Sequence, residues 1–239
     1  MLLLSLALLL QDPAVAKVLK AADEAYAKRD EPGMAAKARD AYKKAVVLDE
    51  ACVAAYVGLA KSLWWIGAHE RDDAKSAPIY REAIDFLKIA VSVDAESLDA
   101  RFWLAVLYGL FGQARGILQS LDLVDPMKAE LEWVLKKDEK FEHAGAHRVL
   151  GRLYYKLPGI KGGDNDKAEK HLKRAIELAP ANLLNYYYLA EIYAYTGRSK
   201  QAKETLDTML KQPDDPRWLP ENREQREDAK KLLAELEKK

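Results

Sequence analysis

His143 and His147 stand four positions apart. On a helix that spacing turns both imidazoles to one side, which is how two nitrogen ligands reach one metal ion. A zinc hydrolase would also place its glutamate base directly after the first histidine, and Ala144 stands there instead. No third ligand follows nearby, so the pair reads as polar packing, and neither a metal nor any other cofactor is expected. Gly162-Gly163-Asp164-Asn165-Asp166 raises two further chemistries. A phosphate cradle needs Lys followed by Ser or Thr at the entry to a helix, but Lys167 is followed by Ala168. A calcium loop needs alternating acids, a glycine after them and a distal glutamate; only Asp164 and Asp166 alternate. The stretch is better read as a turn in which Asp164, Asn165 or Asp166 caps the next helix. No Ser-His-Asp or Cys-His arrangement suggests itself, and the chain reads as a non-enzyme.

What remains is recognition chemistry. Trp64, Trp65, Phe102, Tyr155, Tyr187 and Tyr195 offer rigid aromatic contact area, with Arg148, Arg152 and Glu191 interspersed. An arginine can grip a carboxylate through two parallel hydrogen bonds. Arg148 and Arg152 lie one helical turn apart and are the expected grip for an acidic group; an ion pair with Glu191 is the alternative. Tyr and Trp also fill seams between helices, so packing claims a share of these aromatics.

The elements that must present these side chains are helices. Ala168, Leu172, Ala175 and Pro180 are followed by Leu189, Ala190, Tyr193 and Gly197, and Ala202 and Leu206 then repeat the first spacing. From Ala168 to Ala202 is 202 − 168 = 34 residues. Small residues at fixed slots with this period mean paired helices stacked into a right-handed superhelical solenoid, an all-α fold. Ala38, Tyr42 and Ala45 occupy the same slots, as do Leu59, Ala60, Leu63 and Gly67, then Leu104, Ala105, Tyr108 and Gly112. Leu150, Gly151 and Tyr154 make a further copy, after which about five residues are inserted before Ala168. Counting from the leucine slot places the aromatic and charged residues named above on the first helix of each pair, which lines the concave surface.

Local signals set the boundaries. A helix opens at Asp12 or Pro13 and runs to about Arg29, and Glu31-Pro32-Gly33 turns the chain into a helix over Met34 to Leu48. His69 to Pro78 reads as a long connection to a helix from about Ile79 to Val93, and a later helix covers Met127 to Lys137. Pro213, Pro216 and Pro220 end the repeats. The repeat domain is expected over residues 17–219 and a capping helix over 220–239, with Ala229, Leu232, Leu233 and Leu236 as its apolar stripe.

The chain has 239 residues, of which 49% are apolar, ample for a packed core. Lys plus Arg and Asp plus Glu each count 38, so the net charge is zero. That balance argues against a nucleic-acid partner and gives no pull toward an anionic membrane. Cys52 is the single cysteine, which excludes an internal disulfide and reads as a small buried apolar residue. Met1 to Leu10 is too short to span a bilayer but suits the apolar core of a secretory signal, with Ala14-Val15-Ala16 as its cleavage site and residues 1–16 as its extent. No Lys or Arg precedes the leucines. Export to the periplasm is expected; if the leader is instead the first helix of the fold, the protein is cytoplasmic.

The slots resemble those of the tetratricopeptide repeat (TPR) family, which implies helix hairpins and a protein partner bound on the concave face. A narrower stretch, His147-Arg148-Val149-Leu150-Gly151-Arg152-Leu153-Tyr154 with Leu157-Pro158-Gly159, Gly162-Gly163-Asp164 and Lys167-Ala168, is similar to the T-component family of TRAP-type solute transporters over roughly residues 140–212. That resemblance implies an all-helical periplasmic protein that self-associates and partners a solute-binding protein, with a small apolar or acidic ligand as the alternative cargo. The lipid-attachment cysteine of such proteins is missing here.

Overall fold

The computed structural model describes residues 12–238. Among them are eleven α-helices, three short 3-10 turns and no strand. They form two compact units, the first ending at Val124 and the second beginning at Asp125.

The first unit holds α1 (Pro13–Ala27), α2 (Met34–Leu48), α3 (Val53–Ala68), α4 (Asp73–Val93) and α5 (Leu98–Arg115). Four of the five starts have a local cause. The Asp12 carboxylate accepts from the Ala14 amide at 2.7 Å, and Pro13 supplies a preset first turn. Asp72 caps Ala74 at 2.9 Å, and Ser97 caps Ala100 at 3.2 Å. Gly33, at φ +79°, takes the left-handed conformation that lets the chain reverse into α2. Glycine also sets how closely the helices approach. A methyl on Gly58 would overlap the Tyr42 ring, so α2 and α3 meet with that tyrosine filling the space. Gly67 and Tyr80 do the same between α3 and α4, where the methyl would lie 2.6 Å from the ring. The Tyr42 hydroxyl donates to Asp23 on α1 at 2.6 Å, tying three helices together, and burial raises its phenol far above the usual range. Val15, Ala45, Cys52 and Ala55 form a buried cluster at one end of the unit.

The second unit contains α6 (Val124–Lys137), α7 (Phe141–Lys156), α8 (Asn165–Leu178), α9 (Leu183–Tyr195), α10 (Ser199–Leu210) and α11 (Leu219–Glu237). Its core joins Ala168, Leu172, Leu189, Ala190, Tyr193, Ala202 and Leu206, the slots that carry the repeat in the sequence. A fully buried leucine of this kind contributes about 2 kcal/mol. Gly151 lets α7 and α8 close up, since a methyl there would meet Leu172 at 2.7 Å. On α11, Ala229 and Leu236 are buried in this core with Leu232 and Leu233 against it. Arg226 fastens the helix by donating to the carbonyls of Leu210 at 2.9 Å and Gln212 at 2.6 Å. These bonds hold α11 against the last hairpin.

Two local expectations change. The connection before α4 is short, because Asp72 starts the helix at Asp73 and Pro78 lies inside it. Proline there lacks one amide donor, and the loss is tolerated near the helix start more easily than in the middle. α7 opens on a left-handed turn, with φ +47°, +58° and +58° at Glu142, His143 and Ala144. Of the expected leader, Met1 to Gln11 lies outside the described residues, while Ala14, Val15 and Ala16 lie in α1 with Val15 buried. No described helix is long and apolar enough to cross a membrane.

Candidate functional site

The second unit gathers an aromatic and charged cluster where α7 and α9 run side by side. Arg152 on α7 forms an ion pair with Glu191 on α9. Around it stand four tyrosines. The Arg152 guanidinium lies 4.3 Å from the Tyr188 ring centre and 5.6 Å from that of Tyr155. Tyr155 meets Tyr195 edge-on at 5.6 Å, which brings the C-terminal ends of both helices together. Tyr187 and Tyr188 lie 6.3 Å apart. Tyr195 is 72% exposed, while Arg152, Tyr155, Tyr187 and Glu191 are partly buried. Burial pushes the Tyr187 phenol up to about 12 and raises that of Tyr155, so both remain neutral hydroxyls at physiological pH. Burial, with Arg152 alongside, lowers Lys156.

Arg148 is not part of this surface. Although it stands one turn before Arg152, it is only 8% exposed. Its guanidinium donates to the Glu142 and His143 carbonyls, at 3.4 and 3.3 Å, and to the Asn185 side-chain oxygen at 3.2 Å. Asn185 in turn donates to Ala175 at 3.1 Å. The left-handed turn aims its carbonyls back at the arginine, and the expected acid grip becomes a buried brace between α7, α8 and α9. For Arg152 the structure has the alternative to a ligand grip, an ion pair with Glu191.

His143 and His147 do not converge, for the same reason. His143 pairs with Asp215 at 3.2 Å and with Arg217. His147 places one nitrogen 2.8 Å from His171 and the other 2.9 Å from Glu139. No group of three potential metal ligands occurs among the described residues. Burial, with His147 second, pushes His171 down to about 4. Arg174 holds Glu139 with two bonds of 2.9 Å and lowers its carboxyl to about 2. Asp164 is the cap of α8, accepting from Asp166 at 3.0 Å and Lys167 at 2.9 Å.

In the first unit, Trp64 lies 6.1 Å from Trp65 and 5.2 Å from Trp103. Lys61 stands over the Trp103 ring at 5.3 Å, and Arg29 over Trp65 at 5.2 Å. Trp64 is partly exposed, but Trp65 is buried. Phe102 is 2% exposed, so it belongs to the core and not to an open face. Tyr188, Trp103 and His171 complete these clusters, and the sequence reading misses all three. Tyr188 adjoins the Leu189 packing slot, which hides it, and His171 lies 24 positions from its partner. Asn185 does leave a signal: one amide among Leu183, Leu184 and Tyr186 must find buried partners.

The family model described as TRAP transporter T-component matches residues 60–238. No curated protein matches the chain. Among solved structures, a thermophilic TPR protein of Thermus thermophilus is similar with a TM-score of 0.70 and 20% identity, over 92% of this chain and 99% of that one. MamA is similar with a TM-score of 0.51 and 21% identity, over 77% of this chain and 91% of that chain. At such identities the likeness establishes the fold, an all-α array of TPR-type helix hairpins.

Proposed function

This chain belongs to the TRAP transporter T-component family, and we propose that it works as a non-enzymatic interaction module whose first-helix faces bind a protein partner. The observation that carries this reading is the tyrosine-ringed Arg152–Glu191 pair with Tyr195 standing 72% exposed beside it. Aromatic anchors around a half-desolvated ion pair are the usual makings of a binding hot spot. In the first unit, Trp64 is the side chain that such a face would offer. Family membership points to a solute-binding protein as the partner, an exported location and self-association. The test is titration of the full chain with a TRAP solute-binding protein from the same genome. Arg152→Ala with Tyr187→Ala should weaken binding about a hundredfold with the helical fold retained by circular dichroism, at some cost in melting temperature because Tyr187 packs on the core; equal affinity, or no binding by the wild type, overturns the assignment.

A second reading, an accessory component that carries a small apolar or acidic ligand, is favoured by the same family match. A ligand held by the native state alone raises the melting point as its concentration exceeds its dissociation constant. A panel of organic acids and fatty acids that leaves the melting point unmoved removes it. N-terminal sequencing of protein recovered from the periplasm tests export.

A further inference from the structure

We infer that the C-terminal edge of α7 and α9 is the seat of an acidic partner segment that also carries apolar side chains. This deepens the reading above and rests on the first-helix face being a docking surface.

The edge carries two lysines that make no ion pair among the described residues. Lys156, the last residue of α7, makes no ion pair among the described residues; it stands 5.1 Å from the centre of the Tyr155 ring. Lys161 is exposed and equally lacks one. Two acids of this region are committed elsewhere. Glu191 is held by Arg152, and Asp164 caps α8 while pairing with Lys167 at 3.3 Å.

The apolar part is built as a stiff projection. Ile160 is 91% exposed at the tip of the inserted loop. The loop is closed by backbone bonds from Lys161 to Pro158 at 2.8 Å, Gly163 to Pro158 at 3.0 Å and Asp164 to Tyr154 at 2.9 Å. A methyl on Gly163 would overlap the Leu157 carbonyl oxygen, so only glycine permits this closure. A side chain held out by a rigid loop gives up little conformational entropy when covered. Tyr195 adds a second exposed apolar surface on the same edge, beside Tyr155. Unpaired ammonium groups next to rigid apolar tips fit carboxylates next to leucine or phenylalanine.

The test uses the full chain and three labelled synthetic peptides read by fluorescence anisotropy. One alternates Glu with Leu and Phe, one has Lys for every Glu, and one has Ser for every apolar residue. The wild type should bind the first and neither of the others. Lys156→Glu with Lys161→Glu should lose about tenfold or more for the acidic peptide and gain the basic one. Ile160→Asp, at an exposed position, should weaken the acidic peptide without moving the melting curve. Equal binding of acidic and basic peptides, unchanged affinity in the charge-reversed variant, or no binding by the wild type overturns the inference. If Arg152→Ala with Tyr187→Ala abolishes solute-binding-protein binding while the charge reversal does not, this inference falls and the proposed function stands.

Discussion

Two arginines one turn apart on α7 do opposite work, and substitution separates them. Arg148 is buried and its donors satisfy two carbonyls of a left-handed turn and Asn185. Arg148→Ala would strand those acceptors away from water, and chemical denaturation should show a loss of about 2 to 3 kcal/mol. The Arg152 side chain is 23% exposed, and its half-desolvated pair with Glu191 serves none of the fully buried acceptors that Arg148 serves. Arg152→Ala should therefore cost less stability than Arg148→Ala while weakening partner binding. A result in which the two variants melt alike would contradict this division. The residue types and the Arg152–Glu191 pair were legible in the sequence. The fate of Arg148 was not, because it depends on the hand of three backbone residues, Glu142, His143 and Ala144, that no spacing of side chains reveals.

At the level of elements, close approach and proton traffic both concern α7 and α8. Gly151→Ala would drive a methyl against Leu172 and the Ala168 carbonyl, at 2.7 and 3.1 Å, and force the helices apart. The expected loss is about 1 to 3 kcal/mol, read as an earlier unfolding midpoint. The histidines that bridge the same helices make the fold sensitive to acid. His171 falls from 6.5 to about 4 in the folded state, so the unfolded chain binds more protons between those values. Its contribution is complete above about pH 6.5 and declines as pH falls toward 4, with a slope of at most about 1.4 kcal/mol per pH unit. Denaturation midpoints at pH 7 and pH 5 check it, and His171→Leu should flatten the difference. The α7–α8 hairpin itself was legible, since Leu150, Gly151, Ala168 and Leu172 sit in repeat slots. The bond between His147 and His171 was not, because the inserted loop changes the register between the helices.

For the whole chain, equal numbers of acidic and basic residues give a sequence pI near 6.9. Light scattering of concentrated protein should peak near neutral pH, where net charge no longer repels one copy from another. The chain should also show no retention on duplex DNA at low salt, a result that a basic patch would reverse. The all-helical repeat class was readable from a handful of small residues because glycine and alanine mark where helices touch. The boundary between the units, after Val124, was not, because the 3-10 stretch Ile117–Leu123 carries no distinctive composition. One detail of the first unit offers a practical handle. Cys52 is the single thiol, and it is shielded in the cluster with Val15, Ala45 and Ala55. The rate at which a maleimide reaches it is a stopwatch for how often that unit breathes open, and needs no engineered label.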